Sequence, residues 1–356
     1  MTSNRLAIFI GAFSLILGAS AHAVVFTITD VAQGIGLSAD VEGLDLNESG
    51  QIAGTHDGNA VRWDTFGGVT ETVLGTGRGV GINDSGTVVG YIGAGYSTQS
   101  FSGTTSNTLS HTGSGSYVGA INNSGQIAGT VYNNGTGEAT RWADDISTGA
   151  PLAELGPTYS EGLDINASGT IAGHYEANGG SVQRGFRATS NGDVVTLDGL
   201  DSNQGARANA INDNNVTVGW AQTAGGDTHA ILWEANGDLV DLGALSGERW
   251  SYAQDVNNYG QAIGYVDGLS GIYAFLFSGG MFYDLNTLLD PGATGWTIER
   301  ANAINDLGQI LVDALDINGN RHVLLLTPDQ LNGVPMPMPL ALLGAGLALI
   351  GFRRYD

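Results

Sequence analysis

Asp164-Ile165-Asn166-Ala167-Ser168-Gly169-Thr170-Ile171-Ala172-Gly173 is the stretch from which the rest of the chain can be read. An apolar residue, Asn, two variable residues and Gly are followed by small apolar residues and a second Gly. Asn at the first corner and Gly at the fourth suit a type I β-turn, in which the Asn side chain caps its own backbone. A Gly inside the strand that follows marks a backbone approached closely by another. The segment therefore predicts a β-hairpin whose second strand lies in a crowded place.

The pattern recurs along the chain. Its leading residues are Asn47, Asn83, Asn122, Asn166, Asn212, Asn257 and Asn305, spaced 36, 39, 44, 46, 45 and 48 apart. The fourth corners are Gly50, Gly86, Gly125, Gly169, Gly260 and Gly308, with Asn215 in the remaining copy. Asn is the next best residue at a positive φ. Seven places after each leading Asn stands Gly54, Gly90, Gly129, Gly173, Gly219 or Gly264, and only Val312 breaks the rule. Each unit adds a strand such as Ala60–Trp63, Ala139–Trp142, His229–Trp233 or Ala274–Phe277, then an alternating stretch such as Val194–Leu197, Leu239–Gly243 or Phe282–Leu285.

Four strands of about five residues plus turns need roughly 40 residues, the length of a propeller blade. The expectation is an all-β protein, a β-propeller of seven four-stranded blades over residues 24–327, followed by a linker over 328–333. Closing the ring removes the exposed edges such strands would leave. Phe26–Val31 is placed to pair with Arg321–Leu326 and clasp the last blade to the first. A β-solenoid or open array is the competing geometry, but its rungs are usually shorter and more evenly spaced.

Composition excludes much else. The chain has 356 residues with 57 Gly, 13% charged residues and 42% hydrophobic residues. That is too much Gly and too little charge for a coiled coil or long helical bundle, and too much apolar content for a disordered chain. No glycine-every-third period points to collagen. Twelve basic residues, all Arg, face 35 acidic ones, a formal net charge of −23. Such a surface repels phosphate backbones, so no nucleic-acid partner is expected. With no Cys, disulfides, thiolate metal sites and cysteine nucleophiles are out.

Both ends read as addresses. Residues 1–23 have the form of a secretory signal peptide: Arg5, the apolar stretch Leu6–Ala19, and a small-x-small cleavage site at Ala21-His22-Ala23. Signal peptidase and the export machinery are then partners. Over 334–356, Val334, Pro335, Pro337 and Pro339 precede the apolar run Leu340–Phe352 and the pair Arg353-Arg354. The prolines stop regular structure. A run of about 13 residues is marginal as a spanning helix, and the Arg pair holds its end cytoplasmic.

This tripartite tail resembles the PEP-CTERM sorting signal of exopolysaccharide-producing Gram-negative bacteria, in its Val-Pro-x-Pro variant. Met336 stands where the commonest form has Glu, and the chain ends Tyr355-Asp356 rather than on Arg. The resemblance implies an exosortase partner, a transient membrane association through a C-terminal hydrophobic helix, and delivery to the cell surface or matrix. The repeat wording is similar to the HAF-type extracellular repeat, with His229-Ala230-Ile231 and Tyr273-Ala274-Phe275 nearest to the name motif. That resemblance implies architecture and export rather than an activity.

Candidate chemistry is sparse. Asp45, Asp164 and Asp255, each two residues before a leading Asn, echo the first half of a calcium loop, but His56, Tyr175 and Val266 stand where the bidentate Glu would be needed. A structural turn is the better reading. No cofactor or resident metal is expected beyond calcium held weakly at the surface, through Asp144-Asp145 or Asp313 and Asp316. His56, His111, His174, His229 and His322 are spread along the repeats without zinc spacing, though His56 and His174 are read as equivalent positions after their turn Asn, which predicts that they face the same end of a ring. No Gly-x-Ser-x-Gly elbow belongs to a triad, and Gly75–Gly81 lacks the Lys and helix of a phosphate cradle. Of the Trp residues, Trp63, Trp142, Trp220 and Trp233 fall on strands as packing, while Trp250 and Trp296 are candidates for stacking on sugars.

The functional expectation is an exported, non-enzymatic binding or scaffold protein of the cell surface or matrix, associated with exopolysaccharide. The alternative is a glycan-acting hydrolase or lyase on the same ring, and a third reading is a purely structural coat protein. Carboxylates facing one another in a pocket would favour the enzyme, a channel of Gly, Ala and Ser the coat, and an exposed aromatic shelf the binder.

Overall fold

The computed structural model describes residues 25–329 apart from 32–40, 93–96, 103–104, 157, 178–179, 181, 245–247 and 270. The expected signal peptide and the expected sorting segment with its hydrophobic helix both lie outside the described residues. Within them the chain forms seven four-stranded antiparallel sheets. In chain order these blades span residues 41–76, 78–108, 115–151, 160–197, 206–243, 251–284 and 297–328. The inner strands are Val41–Leu46, Arg78–Ile82, Gly115–Ile121, Ser160–Ile165, Ala206–Ile211, Ser251–Val256 and Thr297–Ile304. Each inner strand packs beside the next, and that of blade 7 packs beside that of blade 1, so the blades close into a β-propeller.

The last blade is composite. Its outer strand is Phe26–Asp30, paired antiparallel with Arg321–Pro328 in the register Ile28↔Leu326, Thr29↔Leu325 and Asp30↔Leu324. The clasp foreseen from the alternating pattern of Phe26–Val31 is therefore present. Val31 continues it, donating its N–H to the Val323 carbonyl at 3.0 Å.

The repeated turn explains why each hairpin forms. Gly50 donates to the Asn47 carbonyl at 3.1 Å, and Asn47 Oδ1 accepts from the Ser49 and Gln51 amides. Gly50 sits at φ 74°, and Asn215, the substitute corner, at φ 60°. The second Gly of the repeat faces a bulge: the inner strand shifts register between Gly162 and Asp164, and a Cβ on Gly173 would fall onto the Glu161 carbonyl. The one blade with Val at this place, Val312, is also the one whose inner strand carries a second register shift, between Ile298 and Arg300.

Apolar cores lie between blades rather than within them. Phe26, Ile263, Leu276, Ile298 and Leu324 pack between blades 6 and 7. Leu46, Ile52, Trp63, Leu311 and Val323 pack between blades 7 and 1, so closure buries a core of its own. Trp63, Trp142 and Trp233 are fully buried, as their strand positions suggested. Their indole N–H groups donate to Glu71, to the Ser110 carbonyl and to the Asp198 carbonyl. Arg62 and Arg141, each one residue before such a Trp, reach to carbonyls of the next blade's turn, Gly86 and Gly169.

Candidate binding site

The inner strands line a central channel whose two ends differ in chemistry. At the turn end, the leading Asn residues do more than cap. Asn47 Nδ2 donates to the Asn83 carbonyl at 2.9 Å, Asn83 to Asn122 at 3.3 Å, and Asn122 to Asn166 at 2.9 Å. Asn166 donates to Asn212 at 3.1 Å, Asn212 to Asn257 at 2.8 Å, Asn257 to Asn305 at 3.1 Å, and Asn305 returns to Asn47 at 3.1 Å. Every blade is thus tied to the next by a buried amide–carbonyl bond, and the belt is closed.

A second belt lies one residue further out. The amide of Glu48 donates to Asp84, Asp84 to Asn123, Ala167 to Asp213, Asp213 to Asn258, Asn258 to Asp306 and Asp306 to Glu48. Ala167 has no side-chain acceptor, which leaves the step from blade 3 to blade 4 without this link. The carboxylates of this rim face one another: burial raises the Glu48 pKa, and Asp306, Asp84 and Asp213 add to the rise.

Asp45, Asp164 and Asp255 form a third set inside the channel. Each carboxylate accepts from the amide after it and, through its other oxygen, from the next inner strand: Ile82 at 2.7 Å, Ile211 at 2.7 Å and Ile304 at 2.8 Å. The residues level with them on those next strands are Gly81, Ala210 and Ala303, small enough to leave room. Burial pushes the Asp45 carboxyl up to about 7, Asp164 to about 6 and Asp255 to about 8, with mutual repulsion contributing. A raised carboxyl in a pocket suits a general acid, yet here both oxygens are engaged in joining blades. No cluster of three or more His, Cys, Asp or Glu able to hold a metal occurs among the described residues. The cavity at this end is about 320 Å³.

The opposite end is built by cross-strand pairs, one per blade, five residues before each leading Asn and eight after it. They are Glu42/Thr55, Arg78/Tyr91, Tyr117/Thr130, Glu161/His174, Arg207/Trp220, Tyr252/Tyr265 and Arg300/Asp313. Directly opposed residues share a face of the sheet. Arg78, Tyr117 and Arg207 line a cavity of about 250 Å³ with Leu44, Val80 and Gln254. Arg78 pairs with Glu42 at 2.7 Å, and Arg207 stands 3.8 Å from Glu161. Tyr252 stacks on Tyr265 at 5.0 Å between centroids, Trp220 meets Tyr252 edge-on at 6.2 Å, and the Arg300 guanidinium lies 3.8 Å over the Tyr265 ring. Buried side-chain atoms of Thr55, Arg78, Thr130, His174 and Arg207 have no hydrogen-bond partner.

The five histidines do not converge. His56 bonds Glu71 at 2.7 Å, His229 bonds Asp241 at 3.0 Å, and His322 bonds Asp30 at 2.9 Å. The expected sharing of one end by His56 and His174 is corrected. Gly54 and Gly173 are equivalent, so His56 lies two residues past that Gly and His174 one, which puts them on opposite faces. His174 is deeply buried, and desolvation followed by Arg207 lowers its pKa to about 3. Trp250 is 38% exposed, with the Arg249 guanidinium 5.6 Å from its ring centroid. Trp296 packs edge-on against His322 at 4.8 Å and against the core between blades 6 and 7. The surface acids proposed for calcium are engaged locally, Asp144 by Ser147 and Asp316 by Asn318 and Asn320, while Asp313 is half-buried with a raised pKa.

Two features escaped the sequence reading. Any single copy reads as turn chemistry alone; the signal for the belt is that Asn leads all seven copies while the Gly corner varies, and a turn by itself would accept Asp or Ser there. The residues five before each Asn were overlooked because their types alternate among Arg, Glu and Tyr and present no motif.

A closed β-propeller with an open channel is the class that this geometry defines. It is similar in fold to virginiamycin B lyase from Staphylococcus aureus, with a TM-score of 0.55 and 13% identity over 85% of this chain and 99% of that one. It is also similar to YCF48 from Cyanidioschyzon merolae, with a TM-score of 0.50 and 14% identity over 84% of this chain and 98% of that one, and to a structure of YCF48 bound to D1 peptide, with a TM-score of 0.50 and 13% identity over 86% and 97%. No family model matches the chain, and no curated protein matches it in sequence.

Proposed function

We propose that the protein is an exported, non-enzymatic binding scaffold of the cell surface or matrix, associated with exopolysaccharide and sorted by an exosortase. The observation that carries the binding role is the unlike character of the two channel ends. The turn end spends its polar groups on joining blades, whereas the opposite end gathers Arg and Tyr side chains around a cavity and leaves buried polar atoms unpartnered. Pockets with a few polar groups among aromatic walls are where ligands bind. Export and sorting rest on Met1–Ala23 and Val334–Arg354, whose order of features resembles the secretory and PEP-CTERM signals.

The test is the intact mass of the protein recovered from matrix, membrane and medium fractions of its host, with glycan binding measured on the same material. A chain starting near Val24, ending near Pro337 and retaining exopolysaccharide supports the proposal. A chain still carrying Leu340–Asp356 in the membrane fraction sinks the sorting step. Shortening of the polysaccharide on incubation sinks the non-enzymatic one.

A further inference from the structure

The channel end opposite the turns carries a more specific reading, which rests on the binding role proposed above. We propose that it binds an acidic oligosaccharide, with a pyranose ring on the Tyr252–Tyr265 shelf and the sugar carboxylate held by Arg300 and Arg207. The shelf is continuous across two blades: Trp220 abuts Tyr252, Tyr252 stacks on Tyr265, and Arg300 covers the Tyr265 ring. All four side chains are half-buried, and because Tyr252 and Arg300 cover the Tyr265 ring, the shelf offers the exposed edges of the stack to a sugar. Aromatic side chains of this kind offer amphipathic contact area at low entropic cost, and Tyr and Trp combine an apolar body with a polar tip.

Charge selects the ligand class. In a protein of net charge −23, arginine is scarce, and elsewhere it serves the fold or a local ion pair. Arg62, Arg141, Arg184 and Arg187 bind backbone carbonyls, and Arg249 pairs with Asp227. Arg78, Arg207 and Arg300 surround the channel, Arg78 in an ion pair with Glu42 at 2.7 Å. Arg300 forms no ion pair among the described residues, and the guanidinium of Arg207 is 3.8 Å from its nearest carboxylate. A planar guanidinium matches a carboxylate bidentately. Glu42, Glu161 and Asp313 on the same ring offset much of the positive charge, which disfavours a densely charged polyphosphate and supplies acceptors for sugar hydroxyls. The cavity of about 250 Å³ that Arg207 lines with Arg78 and Tyr117, beside the shelf, is smaller than a drug-sized pocket, so it takes one unit of a chain whose remainder lies across the shelf.

The test uses trigalacturonate and, as its neutral counterpart of equal length, galactotriose, titrated calorimetrically into the protein purified from its host. The expected result is binding of trigalacturonate that weakens with added salt, no competition by galactotriose, and at least tenfold weaker binding in Arg300→Gln and in Arg207→Gln. Both variants should keep the wild-type Tm. Equal binding of galactotriose overturns the proposal. So does unchanged affinity in the Arg300→Gln/Arg207→Gln double variant, or binding of an acidic peptide in place of trigalacturonate. If the double variant still retains host exopolysaccharide, the channel assignment fails and the scaffold role survives. If the wild type binds trigalacturonate but is absent from the matrix, the scaffold role fails and the channel assignment stands.

Discussion

Replacing Asn305 by Asp isolates the belt bond from the turn. Asn305 Oδ1 accepts from the Gln309 amide, and Asp retains that acceptor. What changes is Nδ2, which donates to the Asn47 carbonyl at 3.1 Å and to Gln309 Oε1 at 2.8 Å. An ionised carboxylate would place oxygen against two oxygens in a buried site. Losing a buried donor and leaving its acceptor unsatisfied costs about 1–3 kcal/mol, and the repulsion adds to it. Urea unfolding of the variant at pH 8 should therefore show a loss of about 2–4 kcal/mol. The defect, measured against wild type at each pH, should shrink as pH falls, because a protonated carboxyl can donate to the Asn47 carbonyl. Asn122→Asp breaks the equivalent bond at an interior junction, where Asn122 donates to Asn166 at 2.9 Å, and should behave alike if the belt acts as a closed ring. A loss under about 0.5 kcal/mol in both variants, or a loss that is independent of pH, would refute the view that these amides join blades.

The three channel aspartates predict an unusual pH profile. Their native pKa values stand above the unfolded value of 3.8, so the folded protein binds more protons between pH 4 and 8. Stability should then fall as pH rises through that window and level off above it, at up to about 1.4 kcal/mol per pKa unit for each group. Thermal melts at pH 5 and pH 8 check this, and Asp255→Asn should flatten the slope while lowering stability overall. Gly173→Ala should cost at least about 3 kcal/mol in urea unfolding, since the Cβ meets the Glu161 carbonyl. Gly58→Ala, at φ 71° with open space around it, should cost only about 1–2 kcal/mol. Trp142→Phe removes the bond to the Ser110 carbonyl and should cost about 1 kcal/mol or somewhat more, read as a lower Tm.

The fold was legible because its information is local and repeated. Each Asn-x-x-Gly turn specifies a hairpin by itself, and the spacing of the turns limits how many strands fit between them. The outer strand at Phe26–Asp30 was legible for a different reason: it is an alternating stretch with no turn of its own to pair with, opposite a last unit lacking its fourth strand. The candidate site was less so. Arg207, Tyr252 and Arg300 lie 45 and 48 residues apart and become neighbours only once the inner strands stand in a ring. The opposite facing of His56 and His174, by contrast, is countable in the sequence: His56 stands nine residues after Asn47 and His174 eight after Asn166. Trp296 looked like a loop residue, and what hides it is His322 from another strand of the same blade.

The composite last blade has a consequence for timing. Phe26–Asp30 is synthesised early, yet its partner Arg321–Pro328 follows about 300 residues later, and Asp329 finally donates to the Val25 carbonyl at 2.8 Å. Until then the nascent chain must carry a β-strand with an open edge, and such edges recruit wrong partners. The ring therefore completes only when the last strand of the propeller has been made. Because residues 25 and 329 end side by side, any tether following the propeller would hold it at one point on the rim of blade 7, leaving the other blades free to turn outward.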